Sequence, residues 1–309
     1  MDYQTEQGLK EALLCLESGN PGRALQELRE TLENDLSNQE ITFTIKCCNY
    51  WINLINALSE METPFERGER LIQEWKEFLK YIKNSEKIYE PAIYSTCKGI
   101  FSLALQNYTR LLDEKDSVQK SEILRKIGLC YKKLGEYDNA KMCLSESNSY
   151  HKDQADVLAE LADCYALCGE DKAAKVLFRE AFFLDFKKID LDFLDSELIK
   201  RLIEKTAQKG FAGDSLKAWI PIYGVLWGVF TIKRALRSQE VGKLKQDIYA
   251  LENEFKDPSR SSELQIPRLI NMYFWLIDYC QEAHDEQLIN EILLKIKILD
   301  TNIYNLYVK

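Results

Sequence analysis

The chain is short of the residues that usually mark catalysis, export or membrane residence. Only two histidines and six prolines occur among 309 residues. No apolar run approaches the roughly 20 residues that a bilayer-crossing helix needs. No Lys/Arg stripe stands out against a formal charge of -9, which excludes a general phosphate-tracking surface, so nucleic acid is not an expected partner. The opening MDYQTEQGLKEALLCLESGN carries acids where a signal peptide has a basic region, and ALLCL is too short for its apolar core. A cytoplasmic location is expected. There is no GxSxG, no HExxH and no phosphate-cradling glycine loop. Neither His151 nor His284 has a Ser or Cys nucleophile in a recognised turn beside it. No enzyme activity, cofactor or metal is therefore expected. Cysteine is not scarce: there are nine, an odd number without disulfide-type spacing, which reads as reduced thiols serving as small hydrophobes. Cys164 and Cys168, four apart on one helical face, are at most half a metal site with no other ligand near them in sequence.

Strand signals are lacking too: no apolar/polar alternation is flanked by hairpin dipeptides. Helical periodicity runs throughout, and 46% of the residues are hydrophobic, enough for a large core. Gly and Pro fall mostly between the periodic segments, at Gly19 to Gly22, Pro64, Gly135, Gly169, Gly210 with Gly213, and Pro258.

Between residues 121 and 187 the chain overlays on itself with a shift of 34. Leu124 falls on Leu158, Ile127 on Leu161, Gly128 on Ala162 and Tyr131 on Tyr165. The register continues with Gly135 on Gly169, Ala140 on Ala174, Leu144 on Phe178 and Ser147 on Ala181. Small residues at 128 and 162 let two helices cross closely. Gly135 and Gly169 stand where the first helix ends and a left-handed residue is needed.

These residues resemble the tetratricopeptide repeat family, whose pattern sets L-G-x2-Y in one helix and A-x3-F in the next. Leu replaces the family's Trp in both copies, and Lys152 and Phe186 stand where its closing Pro would be. An upstream copy at a shift of 36 places Ala92, Gly99, Phe101, Ala104 and Tyr108 in the same roles, and a fainter one opens the chain with Ala12, Gly19, Ala24 and Leu28. Residues 39 to 83 read as a longer, degenerate helix pair. The resemblance implies an all-α, TPR-like α-solenoid of stacked antiparallel helix pairs over 1–187, with its clearest repeats at 85–118, 121–154 and 155–188. A C-terminal helical extension over 188–309 would cap it. It also implies a scaffold that binds a peptide or helix of another protein on a concave surface.

On that surface the first helix of each pair would expose Arg125, Leu129 and Lys132, then Ala159, Asp163 and Ala166. The Asn residues with which some family members grip a peptide carboxylate are missing here. Arg125 and Lys132 would meet an acidic peptide, or pair with Asp156 and Asp163 of the next repeat. The other unusual stretch, WIPIYGVLWGVF at 219–230, offers Trp219, Tyr223 and Trp227. It reads as a buried helix, as a partner groove or oligomer contact, or as a membrane-peripheral anchor helped by Lys233, Arg234, Arg237, Lys243 and Lys245.

Overall fold

The computed structural model describes residues 3–33, 37–256 and 262–309, so Pro258, read above as a break, lies outside the described residues. Among these residues the regular elements are fifteen α-helices and three short 3-10 turns, with no strand. The chain divides into two compact units, Met1–His151 and Lys152–Lys309. Within each unit most helices adjacent in sequence pack on one another. The division falls at 151/152, near the end of segment 121–154, whereas the sequence pattern changes at 187/188. The cause is core continuity: Ala162, Ala174 and Phe178 share one buried cluster with Ile199, Ile220, Phe274 and Ile296.

The first unit contains α1 (Tyr3–Glu17), α2 (Pro21–Leu32), α3 (Gln39–Ala57), α4 (Pro64–Lys83), α5 (Glu90–Thr109), α6 (Ser117–Lys133) and α7 (Tyr137–Tyr150). Their starts follow local chemistry. Thr63 and Glu66 form a reciprocal capping box ahead of Pro64, and Asp116 accepts the N–H groups of Val118 and Gln119. Helices α3 and α4 meet through bulky rings, Trp51 lying 6.4 Å from Trp75 and 5.5 Å from Phe78.

One expected repeat is absent. Residues 85–118 hold a single continuous helix, α5, and not a helix pair turning at Gly99. Gly99 is used for close approach: a Cβ there would lie 2.0 Å from the Leu16 carbonyl oxygen of α1. A small residue in register with a turn glycine had a different physical job.

The second unit contains α8 (Ala155–Leu167), α9 (Asp171–Asp185), α10 (Glu197–Ala207), α11 (Gly213–Leu226), α12 (Ser238–Phe255), α13 (Gln265–Glu282), α14 (Glu286–Leu299) and α15 (Thr301–Tyr307). Between α11 and α12 the chain leaves the helix, and residues 231–237 take no regular structure.

A single turn geometry joins four of the helix pairs, each through three residues. After α6, Glu136 N–H donates to Tyr131 O at 2.9 Å and Gly135 N–H to Lys132 O at 3.0 Å. After α8, Glu170 donates to Tyr165 at 2.8 Å and Gly169 to Ala166 at 3.0 Å. The same two bonds follow α1, from Asn20 to Cys15 and from Gly19 to Leu16, both at 2.9 Å. They follow α13 from Asp285 to Cys280 at 2.9 Å and from His284 to Gln281 at 3.4 Å. This paired pattern satisfies the last carbonyls of a helix and requires one left-handed residue. That residue is Gly19 (φ 73°), Gly135 (82°), Gly169 (78°) and, without glycine, His284 (56°). Inside the hairpin α6–α7, a Cβ on Gly128 would meet Leu144 Cγ at 2.6 Å, so this crossing has no room for a larger side chain.

Candidate functional site

The second unit encloses a cleft of about 610 Å³. Its walls come from distant parts of the chain. Helix α9 and its continuation supply residues 182–187, and the irregular 231–237 segment supplies Arg234 and Leu236. Helix α12 contributes Glu240, Leu244, Asp247, Leu251 and Glu254, spaced so that they share one helical face. The start of α13 adds Leu264, Arg268, Asn271 and Met272. The result is an apolar floor with charged groups along its edges.

One cluster of charge is organised by Arg234, while Lys243, Asp247, Glu254 and Arg268 carry further charge along the wall. Arg234 reaches Glu180 of α9 at 3.1 Å and binds Glu240 with both terminal nitrogens, at 3.1 and 2.9 Å. Asp153 is a third carboxylate in the same field and also lines the cleft. One guanidinium thus faces three acids. Burial pushes the Glu180 carboxyl above the usual range; Arg234 opposes that, while Asp153 and Glu240 add to it. The hydrogen bonds from Arg234 hold Glu240 below the usual range. Asp153 sits in the left-handed region at φ 60°, which an aspartate tolerates better than most residues.

Behind this cluster lies a second ionic group. Arg179 is paired with Asp278, and Lys233 reaches the other oxygen of Asp278 at 2.8 Å. Trp275 is enclosed by the Arg179 guanidinium, 4.9 Å from its ring centre, and by Phe183 at 4.6 Å. Buried charges cost desolvation energy and are tolerated when fully paired. This group explains how the 231–237 segment is held on α9 and α13 without a helix of its own. Its alternate residues Ile232, Arg234 and Leu236 are half-buried, while Thr231, Lys233, Ala235 and Arg237 are exposed.

Among the described residues, two buried polar atoms of the cleft lining lack a hydrogen-bond partner, Arg234 Nε and the Asn271 amide oxygen. Asn271 is 6% exposed, and its amide oxygen is buried without a hydrogen bond. An unsatisfied buried acceptor costs on the order of 1–3 kcal/mol.

The residues singled out from the sequence lie elsewhere. Leu129 and Lys132 are 2% exposed, Ala159 is 1% and Asp163 is 0% exposed, so these four are buried and offer no surface to a partner. The expected exposure assumed that only one face of the first helix is covered, but α6 and α8 are buried on several faces. Asp163 accepts the backbone N–H groups of Asp195 and Ser196, at 2.7 and 2.8 Å. Half-buried Arg125 engages Glu122 of its own helix at 2.8 and 2.5 Å. Trp219 and Tyr223 are buried and Trp227 half-buried, in a run of rings that starts with Phe211 stacked on Trp219 at 4.9 Å. The stretch is thus core over 219–224 and again at Phe230, while Val225, Leu226, Trp227 and Val229 between them are half-buried and Gly228 is exposed.

All nine cysteines are free. Burial pushes the Cys47 and Cys48 thiols up to about 12, the opposite of the lowered value a nucleophile needs. Among the described residues no helix is long and apolar enough to cross a membrane.

Sequence reasoning missed the cleft because Asp153, Glu180, Arg234 and Asn271 share no spacing. The one available signal was the short basic run Lys233, Arg234 and Arg237 after an apolar segment, which was read as a possible membrane contact. No protein-family model matches the chain, and no curated protein matches it.

Proposed function

We propose that this protein is a helical-repeat scaffold of tetratricopeptide type that binds a segment of another protein and performs no chemistry itself. The carrying observation is the hairpin turn at Gly135 and Gly169. Its two closing bonds recur 34 residues later with lengths of 2.9 and 3.0 Å against 2.8 and 3.0 Å. The equivalent positions Ala140 and Ala174, and Leu144 and Phe178, are all fully buried. A unit built this way spends few residues on turns and presents helix faces for extended ligands. Raised cysteine pKa values support the non-catalytic part of this reading, and nine free thiols suit a reducing cytoplasm. We assign the binding face to the cleft of the second unit, a choice supported by the burial of Leu129, Lys132, Ala159 and Asp163 among the first-helix positions that a concave face would use.

The test is panning the purified full chain against a random-peptide display library. Convergence on a shared motif, with the matching synthetic peptide binding in solution, supports the proposal. A library that converges on nothing overturns it. The alternative, an anchor or oligomer contact formed by residues 219–230, has less support, since Trp219, Ile220, Ile222 and Tyr223 lie in the core and Val225, Leu226, Trp227 and Val229 are only half-exposed. Flotation of the folded chain with anionic liposomes would restore it.

A further inference from the structure

We infer that the cleft of the second unit takes an extended peptide carrying one basic side chain, with an apolar side chain two residues away. This inference rests on the scaffold reading and narrows it to a site and a ligand class.

Three observations carry it. The first is charge. Asp153, Glu180 and Glu240 lie in the field of Arg234, and with Lys187, Lys243 and Arg268 also counted the lining still carries six carboxylates against four cations, beside the apolar side chains of Leu244, Leu251 and Met272. A lysine or arginine from outside would complete the pairing, with hydrogen bonds stronger than neutral ones. The second is the orphan acceptor. Asn271 lines the cleft, and its buried amide oxygen has nothing to accept from. The last torsion of an amide side chain is broad, so on binding the oxygen would turn to meet a peptide N–H placed in the cleft. A protein gains no stability from leaving this acceptor unsatisfied, but a binding site gains a hydrogen bond.

The third is the chain's own 231–237 segment. It already lies non-helical against α9 and α13, with Ile232, Arg234 and Leu236 turned inward and Arg234 seated between carboxylates. The pattern apolar-x-basic-x-apolar is therefore one that this face holds within the protein itself. Leu236 ends on the cleft wall, so the incoming peptide would lie beside this segment. Extended chains recognised in this way place alternate side chains in pockets.

The experiment uses the full chain and two fluorescent synthetic heptapeptides, one carrying a single arginine between alternating leucines and the other with glutamine in its place. The arginine peptide should bind about tenfold more tightly, with an advantage that shrinks as salt rises. Asp153→Asn should remove most of that advantage and leave the glutamine peptide unchanged, since asparagine also tolerates the left-handed backbone. Asn271→Leu should weaken both peptides while raising Tm, a combination that a purely structural asparagine would not produce. Equal binding of the two peptides, or binding indifferent to both variants, overturns the inference. The library result separates the two levels of argument. A converged motif without a basic residue sinks this inference and leaves the scaffold standing, and no motif at all sinks the scaffold.

Discussion

The hairpins α8–α9 and α13–α14 lie in the same unit and turn through the same backbone bonds, yet their helices pack differently. In α8–α9 the crossing is made by Ala162 and Ala174, both fully buried, and the two backbones approach closely along their length. The equivalent places in α13–α14 are held by Ile277, fully buried, and Ile289, half-buried, and the helices stand further apart. The left-handed residue is glycine in one and histidine in the other. Turn geometry is thus fixed by the need to satisfy helix-end carbonyls, while helix separation is fixed by side-chain volume at the crossing. A sequence repeat tracks the second of these much better than the first.

The widest expected effect comes from emptying the bulky crossing. Ile277→Ala should lose about 2–5 kcal/mol in urea unfolding, because helices set apart by other side chains cannot collapse onto the void. Filling a tight crossing is the mirror experiment. Gly128→Ala in α6–α7 should lose about 1–3 kcal/mol through the clash with Leu144, although alanine is the better helix former. A neutral result there would remove the packing account of the 34-residue register.

Exchanging the turn residues should matter less. His284→Gly is expected to gain up to about 1 kcal/mol by relieving the left-handed strain, and Gly169→His to lose a similar amount. Thermal melts of the two variants should move in opposite directions. If both destabilise, the histidine has a role beyond the turn.

The smallest effect concerns acid. Glu252 of α12 accepts from Tyr273 Oη of α13 at 2.6 Å and from Lys295 Nζ of α14 at 2.7 Å. Burial pushes this carboxyl up, but Lys295 and Tyr273 together outweigh it and leave it below the usual range. A depressed carboxyl contributes stability that is complete above its unfolded pKa and is lost as pH falls through the lowered folded value. Hydrogen exchange at low pH should therefore loosen the α13–α14 amides more than those of α8–α9, and Glu252→Gln should remove the difference.

Much of the local structure was legible. The helix pairs at 121–154 and 155–188 follow from apolar periodicity and turn residues, because both are short-range effects written in neighbouring letters. The faint opening copy has the same turn at Gly19 as the clear ones, whereas the better-looking copy at Gly99 is one unbroken helix. Glycine serves equally for a positive φ and for a close contact, and only the partner across the gap says which. The left-handed backbone at His284 is not legible for the converse reason: histidine does not advertise it. The short helix α15 was not read from the sequence at all.

From its sequence alone this chain was bound to be helical, with hairpins where glycine follows an amphipathic segment, since those preferences act within a few residues. Which faces remained open was decided only in three dimensions. Burial of Leu129, Lys132, Ala159 and Asp163 depends on elements far along the chain, as does the meeting of Asp153, Glu180, Arg234 and Asn271 around one cleft. Desolvation and ion pairing act between residues that the fold brings together, and no spacing along the chain encodes that distance.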